Sequence, residues 1–319
     1  MIFGIWPGVV DADLVELKPL PCPPEDPGAT LAALKELQGD APHFYVRSYR
    51  HFGNEWSRTP ERPELYAGEG RLIDLVACYQ SREPDPDGFA GFVRQAVRDV
   101  AAWGGGKVQV GEELNVPAPL DGGSPGCFEA VGAGVAAAFA ERERLGADVR
   151  IGVNSAGPAD PAFWGRLASA IGPDHLARLD FVGLDLFPDV FRRIPHDRLA
   201  AAVTFLLTGF RSVTTAAGVP ATTPIHITET GWPTGDDRAE ATQRVVLETV
   251  AQSIVDSDAG VAAYELFGLR DTRSDAGWTS GFGLLRDDYS PKPAFPAMCD
   301  FIRRTIRPKG GGGPAVQPK

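Results

Sequence analysis

The chain has 319 residues, 43% of them hydrophobic and 23% charged, an ordinary balance for a folded protein able to bury a large core. Its net charge of −11 argues against nucleic acid or an anionic membrane as partner, because both demand a basic footprint. No apolar run approaches the roughly 18 residues of a membrane span.

From the first residues onward, short apolar runs alternate with longer segments of helical spacing. Strands are expected at 2–6, 43–49, 72–79, 107–113, 149–154, 179–186, 224–229 and 261–267. Between them the pattern predicts helices at 29–38, 87–103, 126–145, 160–171, 196–217, 237–257 and 292–306, with a poor one near 60–67. Asp160-Pro161 and Ser290-Pro291 read as helix starts, with a capping residue before a proline in the first turn. Gly146 and Gly218 sit where helix C-caps belong. Eight β/α units in unbroken succession predict an α/β fold, a single (β/α)8 TIM barrel over residues 1–306. An open doubly wound sheet is the alternative, but it wants a glycine-rich phosphate turn after the first strand, and Trp6-Pro7-Gly8 supplies none. Residues 307–319, rich in glycine and proline, read as a flexible tail.

Cys22, Cys78, Cys127 and Cys299 lack the paired spacing of a structural zinc site and read as free thiols, with a Cys22–Cys299 bridge as the alternative. The chain begins without a basic leader or a cleavage pattern, so a cytoplasmic location and secretion with a leader removed both stay open.

Two glutamates carry the chemistry. Glu113 ends the fourth expected strand, in Val108-Gln-Val-Gly-Glu-Glu113-Leu-Asn115, and Glu229 ends the seventh, in Ile225-His-Ile-Thr-Glu229-Thr-Gly-Trp-Pro233. The active site of such a barrel lies at the C-terminal ends of its strands. Strict alternation would place Gln109, Gly111 and Glu113 on one face, group Glu229 with Ile225 and Ile227, and turn His226 outward toward the helices. A carboxyl pair across one cavity is what glycosidic bond cleavage needs: one group donates a proton to the departing oxygen, the other meets the developing cation.

These segments resemble the clan A retaining glycoside hydrolases. Gln109-Val-Gly-Glu-Glu113-Leu-Asn115 and Ile227-Thr-Glu229-Thr-Gly-Trp-Pro233 are similar to the acid/base and nucleophile segments of the endo-β-1,3-glucanases and arabinogalactan endo-galactanases. Val46-Arg47-Ser48-Tyr49 is similar to their strand-two arginine motif, and Phe282-Gly-Leu-Leu285 with Asp288-Tyr-Ser-Pro-Lys-Pro-Ala-Phe295 to the stretch after strand eight. The resemblance implies Glu229 as nucleophile, Glu113 as acid/base and Arg47 as the group that holds the nucleophile ionised. It also implies a β-linked or stereochemically equivalent oligosaccharide, polysaccharide or glycoside as substrate. Two residues depart from the pattern. Glu112 stands where an asparagine contacts the sugar 2-hydroxyl, and Phe187 stands where a tyrosine hydrogen-bonds the nucleophile.

Trp6, Trp232 and Trp278 are candidate sugar platforms, Trp278 in a glycine-rich loop that reads as a lid. Tyr79, Asn154, Asp185 and Glu265 fall at or near other strand ends and are candidates for contact with sugar hydroxyls. The five histidines show neither His-x-His on strand one nor His-Glu-x-x-His, so no metal and no other cofactor is expected, and no Gly-x-Ser-x-Gly elbow appears. A transglycosylase using the same pair, and a glycan-binding barrel that has lost turnover, are the competing readings.

Overall fold

The computed structural model describes residues 1–9, 12–13, 18–19, 23–53, 59–118, 120–235 and 237–307. Eight parallel strands close into a barrel: β1 (Ile2–Trp6), β2 (Phe44–Phe52), β3 (Arg71–Tyr79), β4 (Gly106–Val110), β5 (Val149–Ala156), β6 (Phe181–Asp185), β7 (Ile225–Thr230) and β8 (Val261–Phe267). Closure comes from β1, which pairs with β2 on one side and β8 on the other. All eight expected strands are present, and the doubly wound alternative falls because both edges of the sheet are paired.

The outer ring consists of α1 (Pro27–Gln38), α2 (Pro86–Ala102), α3 (Cys127–Leu145), α4 (Pro161–Ile171), the single turn α5 (Pro173–Leu176), α6 (Leu199–Ala216), α7 (Glu240–Val255) and α8 (Ala294–Ile306). Asp26, Asp85 and Asp160 cap α1, α2 and α4 by accepting backbone N–H groups, each before a proline in the first turn. Such caps are worth about 1 kcal/mol apiece. Gly146 closes α3 in the left-handed conformation, at φ 60°.

Three expectations need correcting. The weak helix between β2 and β3 is one 3-10 turn, Pro63–Tyr66. Ser290-Pro291 is not a helix start: Ser290 bonds Asp288, Pro291 bridges to Leu285, and α8 begins at Ala294. The segment His196–Ala216 is long and apolar enough, by length and composition, for a membrane span, with a mean hydropathy of 1.3. Here its 199–216 part is a barrel helix that buries Leu199, Val203, Leu207 and Phe210.

Cys78, Cys127 and Cys299 are buried free thiols. Cys22, and residues 308–319 of the expected tail, lie outside the described residues.

Candidate active site

The floor of the barrel is an ionic layer. Lys107, fully buried, sits 4.8 Å from the ring centres of both Tyr45 and Phe181 and pairs with Glu265 and, at 3.4 Å, with Asp74. His226 belongs to this layer, its ring stacked on Phe181 and its Nδ1 3.4 Å from Lys107 Nζ. The expectation that His226 points outward therefore fails. On β7 the inward residues are His226 and Thr228; a bulge at 228–229, where the pairing with β6 jumps from Ile227 to Glu229, turns Glu229 inward as well. Ile225 and Ile227 instead belong to the apolar core. A bulge that re-aims one side chain beside a functional site is a recurrent use of the extra residue.

Above the floor, Arg47 organises the centre. Its Nη1 pairs with Asp74 at 2.6 Å, its Nη2 with Glu112 at 3.1 Å and Glu229 at 3.4 Å, and its Nε donates to the Tyr49 hydroxyl at 2.6 Å. Tyr49 passes the chain on by donating to Glu229 Oε1. Tyr49 thus makes the bond to Glu229 that Phe187, with no hydroxyl, cannot.

Strand β4 ends sooner than expected, at Val110, because Gly111 takes φ 81°, in the left-handed region. Alternation stops there, so Glu112, not Gly111, follows Gln109 into the interior, accepting from Gln109 Nε2 and Asn154 Nδ2. Glu113 then adopts φ 37°, an uncommon conformation for a side-chain-bearing residue. Two asparagines hold it there: Glu113 N donates to Asn154 Oδ1 at 3.0 Å, and Asn115 exchanges two hydrogen bonds with the Ala156 backbone. Asp185, held by Thr228 at 2.6 Å and by Asn154, lies within hydrogen-bonding reach of the Glu113 carboxyl.

Among the described residues, Arg47 and Lys107 face seven carboxyls in this interior: Asp74, Glu112, Glu113, Asp121, Asp185, Glu229 and Glu265. Burial, reinforced by mutual repulsion, pushes Glu112, Glu113 and Asp121 well above the usual carboxylate range. Glu229 is pushed up to about 7, by burial first and Asp185 second, with Arg47 and Tyr49 pulling it back. The protons are therefore shared across the group. The rise at Glu113 has no comparable cationic counterweight.

Two cavities open on this cluster. One, of about 790 Å³, is lined by Glu113, Asp185 and Glu229 and runs out between the loop after β6, α6 and the loop after β8. The other, of about 190 Å³, is lined by Trp6, Tyr49, His51, Gln80, Glu112 and Asp121, again with Glu229. Glu229 and Phe267 line both; Glu113 borders only the larger and Glu112 only the smaller.

The sequence candidates separate accordingly. Glu112, Glu113, Glu229, Arg47, Asp185, Trp6 and Trp278 border the cavities or bond to groups that do. Asn154 is 2% exposed with its amide spent on Glu112, Glu113 and Asp185, so it positions carboxyls. Glu265 lies in the floor beneath. The Tyr79 hydroxyl is taken up by the backbone of Glu83, Asp85 and Pro125, and its ring packs on Phe52 and Phe89. Trp232 is buried, donating to Asp189 under the Arg238 guanidinium. The loop expected as a lid is tied down by the buried Lys292, which bonds Asp271 and Thr234 at 2.7 Å and the Gly281 carbonyl at 3.1 Å.

Tyr49, Gln109, Asp121 and Phe267 were not singled out from the sequence. Tyr49 was within reach, two places beyond Arg47 on an alternating strand. Asp121, in an irregular loop, carried no periodic signal.

Oxygens of Glu112, Asp185 and Glu229 approach within 4.8 Å of one another, a spacing able to chelate one cation. Each of these carboxyls already accepts from a protein donor, Arg47 or Asn154, Thr228 and Tyr49 respectively, and Arg47 pairs with two of the three, Glu112 and Glu229. With Arg47 and these neutral donors already bonded to it, the cluster is balanced by shared protons and one guanidinium.

No protein-family model matches the chain, and no curated protein matches its sequence. Solved structures do share its fold. A β-glucuronidase from an uncultured Clostridium species aligns over 95% of this chain with a TM-score of 0.58 and 13% identity. This chain spans only 50% of that enzyme's length. A fungal β-1,4-galactanase aligns over 94% of this chain and 99% of its own, with a TM-score of 0.59 and 13% identity. An active-site mutant of the Rhizomucor miehei β-1,3-glucanosyltransferase, bound to laminaritriose, aligns over 92% and 96%, with a TM-score of 0.58 and 16% identity. These structural neighbours are glycoside-processing enzymes, and at such identities the likeness establishes the barrel.

Proposed function

We propose that this protein is a retaining glycosidase acting on a β-linked or stereochemically equivalent glycosidic bond, with residues 1–306 as its catalytic unit. The observation that carries the reading is the position of Glu229 at the junction of two cavities, with Glu112 lining one and Glu113 the other. A nucleophile must reach the anomeric carbon, which lies between glycone and leaving group. The smaller cavity, bordered by Glu112, Asp121, Gln80 and His51 beside the Trp6 ring, suits one sugar ring; the larger then takes the leaving group. Of the adjacent pair Glu112 and Glu113, only Glu113 borders the leaving-group side, which is where a general acid must stand.

In the first step Glu229 attacks the anomeric carbon while Glu113 passes its proton to the departing oxygen. The bond to the aglycone breaks and an ester forms between the sugar and Glu229. Glu113, now ionised, removes a proton from water, the water oxygen attacks the same carbon, and Glu229 departs with the bonding pair. Arg47 and Tyr49 favour the ionised form of Glu229 before attack and receive its charge again afterwards. Glu112 and Asp121 face the glycone, where carboxyls accept from ring hydroxyls or pair with a cationic substituent.

A panel of 4-nitrophenyl glycosides tests the reading. The parent should release nitrophenol from at least one member, and Glu229→Ala should lose that activity by a factor of a thousand or more. Retention of turnover by Glu229→Ala would refute the assignment.

A further inference from the structure

The larger cavity is out of character for a polysaccharide cleft. Besides Glu113, Asp185 and Glu229 its lining holds Asp189, Arg192 and Thr279, but the rest of the wall is apolar and carries six aromatic rings. Phe187 is the hub, with ring centres 5.6 Å from Phe267, 5.8 Å from Phe282 and 6.0 Å from Phe191. Trp278 closes the circuit at 6.2 Å from both Phe191 and Phe282. The hub rings are phenylalanines, with no hydroxyl or indole N–H to offer a sugar. A saccharide leaving group could rest one face on such rings, but the hydroxyls turned toward the aromatic wall would lose water without finding partners there, which is costly.

The rim strengthens the point. Phe191 and Phe205 are each 76% exposed, the most exposed large apolar side chains among the described residues, and both line this cavity. Phe205 lies on α6 with Ala202 and Leu206, which also line it, and only 28% of the most apolar 18-residue stretch within 196–216 is buried. The surplus hydrophobicity of that helix, unexplained by packing, faces the cleft. Contiguous exposed apolar surface of this kind marks a binding groove.

We infer that the leaving group is apolar: the substrate is a glycoside whose aglycone is a hydrocarbon chain or ring system, seated between the aromatic hub and α6 while Glu113 protonates its oxygen. The inference rests on the retaining-glycosidase reading, which supplies the direction of the leaving group. Given it, the cavity that receives the aglycone is fixed by Glu113, and its lining states what that aglycone must be.

The test takes the sugar found in the nitrophenyl panel and compares its methyl, butyl and octyl glycosides below their micelle-forming concentrations. Each methylene buried in the cleft is worth up to about fourfold in kcat/KM, so a rise of at least about tenfold from methyl to octyl is expected. Phe191→Ser and Phe205→Ser, at exposed positions where folding tolerates the change, should each lower the octyl-to-methyl ratio at least about threefold, with melting curves confirming the fold. A flat alkyl series, or faster cleavage of the corresponding disaccharide than of the octyl glycoside, overturns the inference. The glycosyl fluoride of the same sugar has no aglycone and separates the two claims. If Glu229-dependent fluoride hydrolysis persists beside a flat alkyl series, the aglycone assignment alone fails. If no fluoride is hydrolysed, the glycosidase reading and the inference fall together.

Discussion

Tyr49→Phe removes one oxygen from the centre of the site and leaves the ring, which packs edge-on against Trp6 at 5.5 Å. That oxygen accepts from Arg47 Nε and donates to Glu229 Oε1. A hydrogen bond to a charged group contributes roughly 1.5–3 kcal/mol. At about 1.36 kcal/mol per pKa unit, its loss should raise the Glu229 pKa by roughly one to two units from its value of about 7. Glu229 must be ionised to attack, so the acid limb of the kcat/KM profile should move up by the same amount. At pH 6 the variant should be slower than the parent by roughly 10- to 100-fold, with the gap narrowing above the new limb. The assay is kcat/KM from pH 5 to 9 on the best nitrophenyl glycoside. A uniform loss at every pH, with the limb in place, would refute the claim that Tyr49 acts by holding Glu229 ionised.

Glu113→Gln should abolish the alkaline limb of the same profile and cost about 10²- to 10⁴-fold on alkyl glycosides. The cost should be far smaller on dinitrophenyl glycosides, whose leaving oxygen needs no proton; equal losses on both would contradict the acid role. Glu112→Gln tests the shared-proton picture through stability. Burial raises the folded pKa of Glu112 above its unfolded value, so the native state holds the extra proton and stability falls as pH rises through that window. Melting temperatures of parent and variant should therefore agree near pH 5, with the variant gaining as pH rises to 8; a variant equally destabilised at both would count against it. Dialysis against EDTA should leave activity unchanged, and Ca²⁺ or Mn²⁺ should not raise the melting temperature, because each of the Glu112, Asp185 and Glu229 carboxyls already accepts from a protein donor. Chelator-sensitive activity would overturn that assignment.

The barrel was legible because its signals are periodic. Alternating apolar runs and helical stretches placed all eight strands to within a few residues, and Asp160-Pro161 located the start of α4. What periodicity could not carry was each break in it. Gly111 at φ 81° swaps the inward position from its own site to Glu112, and the bulge at 228–229 brings both His226 and Glu229 inside. Both breaks sit beside the carboxyls of the site, where local strain or an inserted residue re-aims a functional group. The aromatic cleft is assembled from the loop after β6, from α6, the end of β8 and the loop beyond it, segments with no shared pattern in the chain.

The account turns on Glu229 forming a bond to the sugar. A 2-deoxy-2-fluoro glycoside with a dinitrophenolate leaving group slows release of the intermediate more than its formation, so mass spectrometry of the digested protein can locate the label. One adduct is expected, on the peptide carrying Glu229, lost on prolonged incubation as activity returns. A label on another carboxyl, or dinitrophenol released steadily with no adduct and inverted product, would contradict it.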